Sequence, residues 1–227
     1  MVAVSQWVRD VLKRNTVPVA KITLSRQGID AAAQAPRPKM REPTEPLKIA
    51  YFGRIDQGKG PDLLARALKM IPEVFVQVDI FAIRQATGPD RVHNWLAVQA
   101  QRDPRLSLRT PVAPDKVIDI MADYDLIAVP SRLLETGPLV ALEAFAAGVP
   151  VLGANLGGIA EVVRDGVDGI LVAPDDAAAW AATIKRLANN RHVLDALRSC
   201  IVPPRTMDAA ATDMATLYAR ILSRQLQ

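Results

Sequence analysis

The chain is 227 residues long, 50% hydrophobic and 4% aromatic, with a formal net charge of +4. This length and apolar content suffice for one substantial hydrophobic core. The single cysteine, Cys200, excludes an intrachain disulfide and therefore a secreted, disulfide-stapled scaffold, and we expect it to be a buried apolar thiol.

Charge and targeting signals set further expectations. The sequence shows neither a signal-peptide pattern nor an apolar run of about 18 residues, so we expect a cytoplasmic protein. A pI near 9.4 favours anionic ligands or an anionic membrane surface. Few aromatic side chains are available to stack on bases, so we expect no nucleic-acid partner. The histidines and the cysteine lack metal-ligand spacing, so we expect no metal site.

The N-terminal part of the chain predicts only short elements. A helix is expected over Val4–Lys13 and a strand over Ile22–Leu24. Residues 31–46 are rich in proline and charge and short of apolar periodicity, which predicts an extended linker. The main domain is therefore expected to begin at Leu47.

From Leu47 onward, apolar strands alternate with helical segments. This pattern indicates right-handed βαβ units and an α/β fold, a Rossmann-like parallel sheet with helices on both faces. The expected strands are Leu47–Phe52, Phe75–Phe81, Leu106–Arg109, Leu126–Pro130, Val151–Ala154 and Gly169–Val172. The expected helices are Pro61–Met70, Pro89–Gln101, Lys116–Ala122, Leu139–Ala147, Ile159–Arg164 and further helices from Asp175.

The first strand of this domain leads into the glycine-rich loop Gly53-Arg-Ile-Asp-Gln-Gly-Lys-Gly60. Its glycines permit close approach of the backbone, and Arg54 and Lys59 are suited to hold the two phosphates of a diphosphate. The loop lacks the Gly-Lys-Ser/Thr ending of a nucleoside-triphosphate P-loop and the glycine fingerprint of dinucleotide-binding domains. In a parallel sheet, this loop opens onto the same crevice as the loop at Glu135.

Two carboxylates, Glu135 and Glu143, lie on either side of the start of the helix expected over Leu139–Ala147. Every other residue of that helix is apolar, so we expect it to be buried nearly all round, with Glu143 facing polar groups of the protein or of a ligand. Glu135 follows a strand, at the edge of the sheet where α/β proteins bind ligands. A hydroxyl-rich ligand with a phosphate beside the helix N-terminus fits both carboxylates, which points to a sugar nucleotide.

Two later segments leave alternatives open. The turn Gly157-Gly158 before Glu161 either binds an anion or a sugar oxygen, or is a tight turn in which Glu161 is a favourable first-turn charge. The helix expected from Met207 to Leu226 carries an apolar stripe. This stripe either packs on its own domain or is exposed and supports a homodimer.

Roughly residues 47–190 resemble the retaining glycosyltransferases of family 4, which have the two-domain GT-B architecture. The motifs that carry the resemblance are Gly53-Arg54 with Lys59-Gly60, Pro130-Ser131 with Glu135 and Glu143, Ala147-Gly148-Val149-Pro150, and Gly157-Gly158 with Glu161. The resemblance implies a C-terminal donor-binding domain. It also implies transfer of a sugar, with retention, from a nucleoside diphosphate sugar to a hydroxyl acceptor, without a metal or other cofactor.

The resemblance also implies roles for individual residues. Arg54, Lys59 and Glu135 would be catalytic, because the two cations neutralise the donor diphosphate and the glutamate binds hydroxyls of the transferred sugar. Glu143 would accept hydrogen bonds from the ribose hydroxyls. The other donor-binding positions would be Gly53, Thr110, Val112, Gly137, Leu139 and Val140, with Thr110 and Val112 in a turn near the base.

Two features depart from the family pattern. Gly137-Pro138 stands where the family usually has Phe-Gly, so one amide donor is lost, although proline suits the first position of a helix. Only residues 1–30 resemble the N-terminal acceptor domain; a linker at 31–46, a donor domain at 47–206 and a crossover helix at 207–227 would follow. We therefore expect a fragment that binds donor and transfers little or no sugar without the acceptor domain.

Two alternatives remain at this point. One is a non-catalytic nucleotide-sugar-binding subunit that works only with a separate acceptor-binding partner. The other is a sugar-nucleotide epimerase of the same architecture, which would change the donor without needing an acceptor.

Overall fold

The structure is a computed structural model that describes residues 1–30, 44–83 and 91–225. Most of the expected linker and the first residues of the helix expected at Pro89 lie outside these ranges. Residues 1–30 form a helix between two short parallel strands: β1 (Val2–Ala3), α1 (Gln6–Arg14) and β2 (Thr23–Leu24). Only the second of these strands was expected from the sequence.

The main body is a parallel sheet, which has six strands within the described ranges. The strands are β3 (Leu47–Arg54), β4 (Val76–Ile83), β5 (Leu106–Arg109), β6 (Leu126–Val129), β7 (Val151–Ala154) and β8 (Gly169–Val172). Their order across the sheet is β5-β4-β3-β6-β7-β8, which is the strand order of doubly wound Rossmann folds. The predicted fold class is therefore confirmed.

The helices follow the strands in the predicted alternation. They are α2 (Pro61–Met70), α3 (Arg91–Arg102), α4 (Val117–Met121), α5 (Leu139–Ala146), α6 (Gly157–Val162), α7 (Ala177–Asn189), α8 (His192–Ser199) and α9 (Met207–Gln225). Helix α6 begins two residues before the expected Ile159, at the glycine pair itself. A short 3-10 turn at Pro114–Lys116 occupies the start of the expected fourth helix.

The core lies on both faces of the central strands. Every residue of β6 and β7 is buried, which is why these strands read as uninterrupted apolar runs in the sequence. Trp180, on helix α7, is fully buried. Cys200 ends helix α8 and is exposed, so the expectation of a buried thiol was wrong.

The C-terminal helix α9 keeps part of its apolar stripe in solvent. Tyr218 is 59% exposed and Leu222 is 60% exposed, whereas Met214 and Leu217 are half-buried and lie with Leu24 around a small cavity. The stripe is thus only partly covered by its own domain, and self-association through it stays a prediction. None of the helices in the described ranges is both long enough and apolar enough to span a bilayer.

The sheet order has a switch point between β3 and β6. These strands are adjacent in the sheet, with Ile49 opposite Leu126 in the register, although β4 and β5 lie between them in the chain. Ligands of open α/β sheets bind outside the carboxyl ends of the strands at such a point. The loops after β3 and β6 meet there, because Gly60 has φ of +70° and a Cβ at this position would lie 2.2 Å from the carbonyl oxygen of Pro130.

Candidate functional site

A cavity of about 500 Å³ opens at this switch point, at the carboxyl ends of the strands. Of the residues predicted from the sequence, the following line it: Gly53, Arg54, Lys59, Val112, Glu135, Gly137, Leu139, Val140 and Glu143. Thr110 does not line the cavity; it is exposed at the end of β5, while its neighbours Pro111 and Val112 form part of the wall. The fold therefore brings the predicted basic and acidic residues to one site.

Lys59 and Glu135 form the polar centre of the cavity. The Nζ atom of Lys59 lies 2.6 Å from Oε1 of Glu135, and both side chains are largely buried. The hydroxyl of Ser131 lies 2.8 Å from the same carboxylate oxygen and donates to it. Lys59 is held in turn by its backbone N–H, which donates to Asp56 at 2.8 Å. The carboxylate of Glu135 is thus fixed by two donors and leaves its second oxygen for a ligand.

Arg54 stands at the end of β3, beside this pair. Its guanidinium lies 3.6 Å from Asp56, and the side chain is about half exposed. The backbone carbonyl of Arg54 accepts a hydrogen bond from the hydroxyl of Tyr51 at 2.6 Å. Burial, together with nearby carboxylates, raises the pKa of Tyr51 well above its usual range, so the phenol stays protonated and keeps this contact.

Glu143 faces the cavity from helix α5. Its carboxylate makes no hydrogen bond or ion pair with any residue in the described ranges. Burial raises the pKa of Glu143 above its usual value of 4.5, because removing a carboxylate from water disfavours its ionised form. A half-buried acid that no protein group satisfies is suited to accept hydrogen bonds from a ligand.

The first turn of α5 supplies free backbone donors at the cavity wall. Pro138 precedes the helix, and its carbonyl accepts from Ala141 and Leu142. The N–H groups of Leu139 and Val140 make no hydrogen bond with the described part of the chain. The expectation that helix α5 is buried nearly all round was wrong, since Leu139 is 44% exposed at the cavity mouth. Its amino end can therefore reach an anion.

The glycine pair at the start of α6 contacts protein rather than open space. The backbone N–H of Gly158 donates to the carbonyl oxygen of Glu135 at 2.7 Å. A Cβ at Gly158 would lie 2.5 Å from that oxygen, so only glycine permits this approach. Glu161 accepts hydrogen bonds from helix α1. This amide and this carboxylate therefore bind other parts of the protein, which favours a structural role for the turn. The expectation that Glu161 is a first-turn charge was wrong, because α6 begins at Gly157.

Sequence reasoning assigned no role to several residues of the site. Phe52 and Phe81 stack with ring centroids 4.6 Å apart and form an apolar wall beside Val112. Both stand near the carboxyl ends of their strands, which is the signal that could have found them. Ser131 was noted only as part of a motif, because its bond to Glu135 depends on how the loop after β6 folds.

Arg132 ties the loop after β6 to helix α2. Its guanidinium makes a two-pronged contact with Asp62, at 2.7 and 3.0 Å, and its Nε donates to Asp175 at 2.6 Å. The backbone N–H of Arg132 donates to Gly58 at 2.7 Å. The hydrogen bonds to Asp62 raise the pKa of Arg132 above its usual range. These contacts fix the loops that carry Lys59 and Glu135 relative to each other.

The chain is similar to proteins of a known family. Residues 46–190 match the family described as Glycosyl transferases group 1. The chain belongs to this family. The matched region begins just before β3, ends at helix α7 and includes every predicted site residue. Within the described residues, no group of histidine, cysteine and carboxylate side chains is arranged to hold a metal ion.

Curated relatives are longer than this chain. It is 36% identical over 180 residues to the D-inositol 3-phosphate glycosyltransferase of Nocardia farcinica, an alignment that covers 77% of this chain and 39% of the relative. It is 30% identical over 210 residues to the enzyme of the same name from Corynebacterium efficiens, covering 89% of this chain and 49% of the relative. The chain thus spans less than half the length of these relatives.

Solved structures share the fold over nearly the whole chain. The Anabaena protein HepE in complex with UDP and glucose matches with a TM-score of 0.81 and 20% identity, covering 96% of this chain and 62% of that one. Sucrose-phosphate synthase from Thermosynechococcus elongatus matches with a TM-score of 0.82 and 23% identity, covering 98% of this chain and 58% of that one. These similarities confirm the GT-B type of fold.

Proposed function

We propose that this chain is the donor-binding part of a retaining glycosyltransferase and that its cavity holds a nucleoside diphosphate sugar. The observation that carries the proposal is the pair of acids in one cavity. Glu135 is fixed by cationic and hydroxyl donors, whereas Glu143 is half-buried with no protein partner among the described residues. One ligand with a diphosphate between two sets of hydroxyls would satisfy both.

The positions of the side chains assign each part of such a ligand. The diphosphate would lie between Arg54, Lys59 and the free amides of Leu139 and Val140, where positive charge and a helix N-terminus stabilise negative charge. The sugar would reach Glu135. These roles, and those of Gly53 and Gly137 as points of close backbone approach, are proposals.

The nucleoside would lie at the opposite side of the cavity. Glu143 is suited to accept hydrogen bonds from ribose hydroxyls, because it is a half-buried carboxylate to which no group in the described part of the chain donates. The apolar wall formed by Phe81, Pro111, Val112 and Val117 is suited to contact a base. Thr110 is exposed and does not line the cavity, and its contact with the base stays a prediction.

The positive charge of Lys59 at the centre of the cavity is suited to stabilise a nucleoside diphosphate as the leaving group. In this geometry Lys59 balances Glu135, and its ammonium has three N–H groups, of which the contact to Glu135 uses one. The remaining donors can stabilise the charge that develops on the phosphate oxygen as the bond to the sugar breaks. No metal is needed for this role, and a metal-independent reaction is part of the proposal.

The activity of a whole protein would need an acceptor site. The relatives named above are glycosyltransferases of which the alignments cover 39% and 49%, and two structures of one solved neighbour, the Anabaena protein HepE, carry UDP with glucose or UDP-glucose. We expect this chain to bind such a donor and to transfer little or no sugar without an acceptor-binding domain. A cytoplasmic location stays a prediction.

Calorimetric titration with UDP, GDP, ADP and UDP-glucose tests the proposal. We expect binding of one diphosphate, weakened about tenfold or more by Lys59→Met, since hydrogen bonds to charged groups contribute about 1.5–3 kcal/mol. Lys69→Met, at an exposed position on α2, is the matched control and should leave binding unchanged. A folded wild type that binds none of the four ligands would refute the proposal. Conversion of UDP-glucose to another UDP-sugar would instead identify an epimerase.

A further inference from the structure

The main-chain carbonyl of Glu135 is held by two donors from distant parts of the chain. The backbone N–H of Gly158 donates to it at 2.7 Å, and the indole Nε1–H of Trp7 donates to it at 2.9 Å. A carbonyl oxygen has two lone pairs, so these contacts complete its hydrogen bonding. One donor belongs to helix α6, and the other belongs to helix α1 in the N-terminal segment.

Helix α1 is itself anchored on α6. The carboxylate of Glu161 accepts from the backbone N–H of Gln6 at 2.7 Å and from that of Trp7 at 2.6 Å. The first amides of a helix have no intrahelical acceptor and attract negative charge. Ser5, the residue before the helix, makes no side-chain capping bond, so Glu161 supplies the cap from another element. Arg26 lies 3.3 Å from the same carboxylate.

These contacts form a closed ring. Gly158 and Glu161 lie on one helix, Glu161 fixes Trp7, and both Trp7 and Gly158 bind the carbonyl of Glu135. The indole is half-buried, so its N–H contributes more when it is bonded than it would in open solvent. Trp7 is not among the residues that line the cavity.

We propose that Trp7 is a positioning residue for Glu135, and that the N-terminal segment thereby sets the affinity of the cavity for the sugar part of the donor. The inference rests on the proposed function, because it uses Glu135 as the sugar-binding acid. Lys59 and Ser131 fix the carboxylate from one side. Trp7 fixes the main chain that carries it from the other side. A shift of this carbonyl moves the carboxylate relative to a bound sugar and leaves the nucleotide contacts in place.

The first test separates sugar affinity from nucleotide affinity. Trp7→Phe keeps an aromatic ring and removes only the indole N–H. We expect binding of UDP-glucose to weaken about fivefold, which corresponds to one net hydrogen bond of about 1 kcal/mol, while binding of UDP stays unchanged. Trp95→Phe is the matched control, because Trp95 lies on helix α3 beside Arg66 and Lys69 and far from this ring of contacts. It should change neither affinity.

A second variant tests the same inference if Trp7→Phe does not fold. Glu161→Gln keeps Trp7 itself but removes the charge that anchors α1, so the indole contact should loosen. Binding of UDP-glucose should then weaken more than binding of UDP, as in Trp7→Phe. Equal losses for both ligands would show a merely structural role and overturn the inference. An unchanged affinity for UDP-glucose in Trp7→Phe would overturn it as well.

An NMR measurement follows the contact without any ligand. The chain has three tryptophans, and the indole signal of Trp7 is the one lost in Trp7→Phe. Its exchange with water should be slow in the wild type and faster in Glu161→Gln. If the signal is protected but the wild type binds none of UDP, GDP, ADP and UDP-glucose, the proposed function fails together with the role of Trp7 in it. If the wild type prefers UDP-glucose but the signal is unprotected, only the role of Trp7 fails.

Discussion

Replacing Glu143 by glutamine should raise stability and weaken nucleotide binding at the same time. Glu143 is a half-buried carboxylate with no partner in the described residues, and burial raises its pKa above 4.5. An acid whose pKa is raised by folding contributes stability that is fully present below its unfolded pKa and is lost as the pH rises through its folded pKa. The wild type therefore carries an unfavourable buried charge at neutral pH, which Glu143→Gln removes.

The expected loss of binding follows from the number of acceptors. If ribose hydroxyls donate to Glu143, the contact is charge-assisted and contributes about 1.5–3 kcal/mol. Each 1.4 kcal/mol is about a tenfold change in affinity, so Glu143→Gln should bind UDP about 10- to 100-fold more weakly. A glutamine keeps one acceptor oxygen, which places the expected value nearer the lower end. In the wild type, binding should also weaken as the pH falls and Glu143 becomes protonated.

Urea unfolding and calorimetry check the two effects. The free energy of unfolding of Glu143→Gln should exceed that of the wild type at neutral pH, and the difference should shrink as the pH falls toward 4.5. Glu73→Gln, an exposed glutamate paired with Lys185, is the control and should not affect binding. A variant that is less stable at neutral pH, or that binds UDP as tightly as the wild type, would refute the assignment of Glu143 as an unpartnered ligand-binding acid.

Three further substitutions test how the site is held. Asp62→Asn removes the charged acceptor that binds Arg132 at two points, although Arg132 keeps its other acceptors. The free energy of unfolding measured in urea should therefore fall by about 1.5–3 kcal/mol. Gly158→Ala places a methyl group 2.5 Å from the carbonyl oxygen of Glu135; we expect a destabilisation of about 1–3 kcal/mol by overpacking, with weaker UDP-glucose binding by calorimetry. Ser131→Ala removes a donor to Glu135 and should destabilise by about 1–2 kcal/mol, again with a larger effect on UDP-glucose than on UDP.

Matched controls lie elsewhere on the surface. Ser199→Ala changes an exposed residue of helix α8 that does not line the cavity, and it should leave stability and binding unchanged. Gly166→Ala has open space around its Cβ but a φ of +71°, so it should cost about 1 kcal/mol of backbone strain without affecting either ligand. Equal effects of Gly158→Ala and Gly166→Ala on UDP-glucose would contradict the close approach of Gly158 to Glu135.

Local patterns in the sequence were enough to predict the architecture. Uninterrupted apolar strands such as Val151–Ala154 indicate a parallel sheet covered on both faces, and the structure buries each of these residues. The same alternation placed Arg54 and Glu135 after strands, at the edge where ligands bind. Element ends moved by one to three residues, because the ends depend on caps and turns such as the left-handed Asp175 before α7.

Long-range contacts decided the rest. Lys59 and Glu135 are 76 residues apart in the chain, and only the adjacency of β3 and β6 brings their charges to 2.6 Å. Trp7 and Glu161 are 154 residues apart, and no local pattern marks the contact. Periodicity and turn chemistry report which face of an element is apolar and where it ends. They do not report which two ends will meet, because that depends on the packing of the whole sheet and its helices.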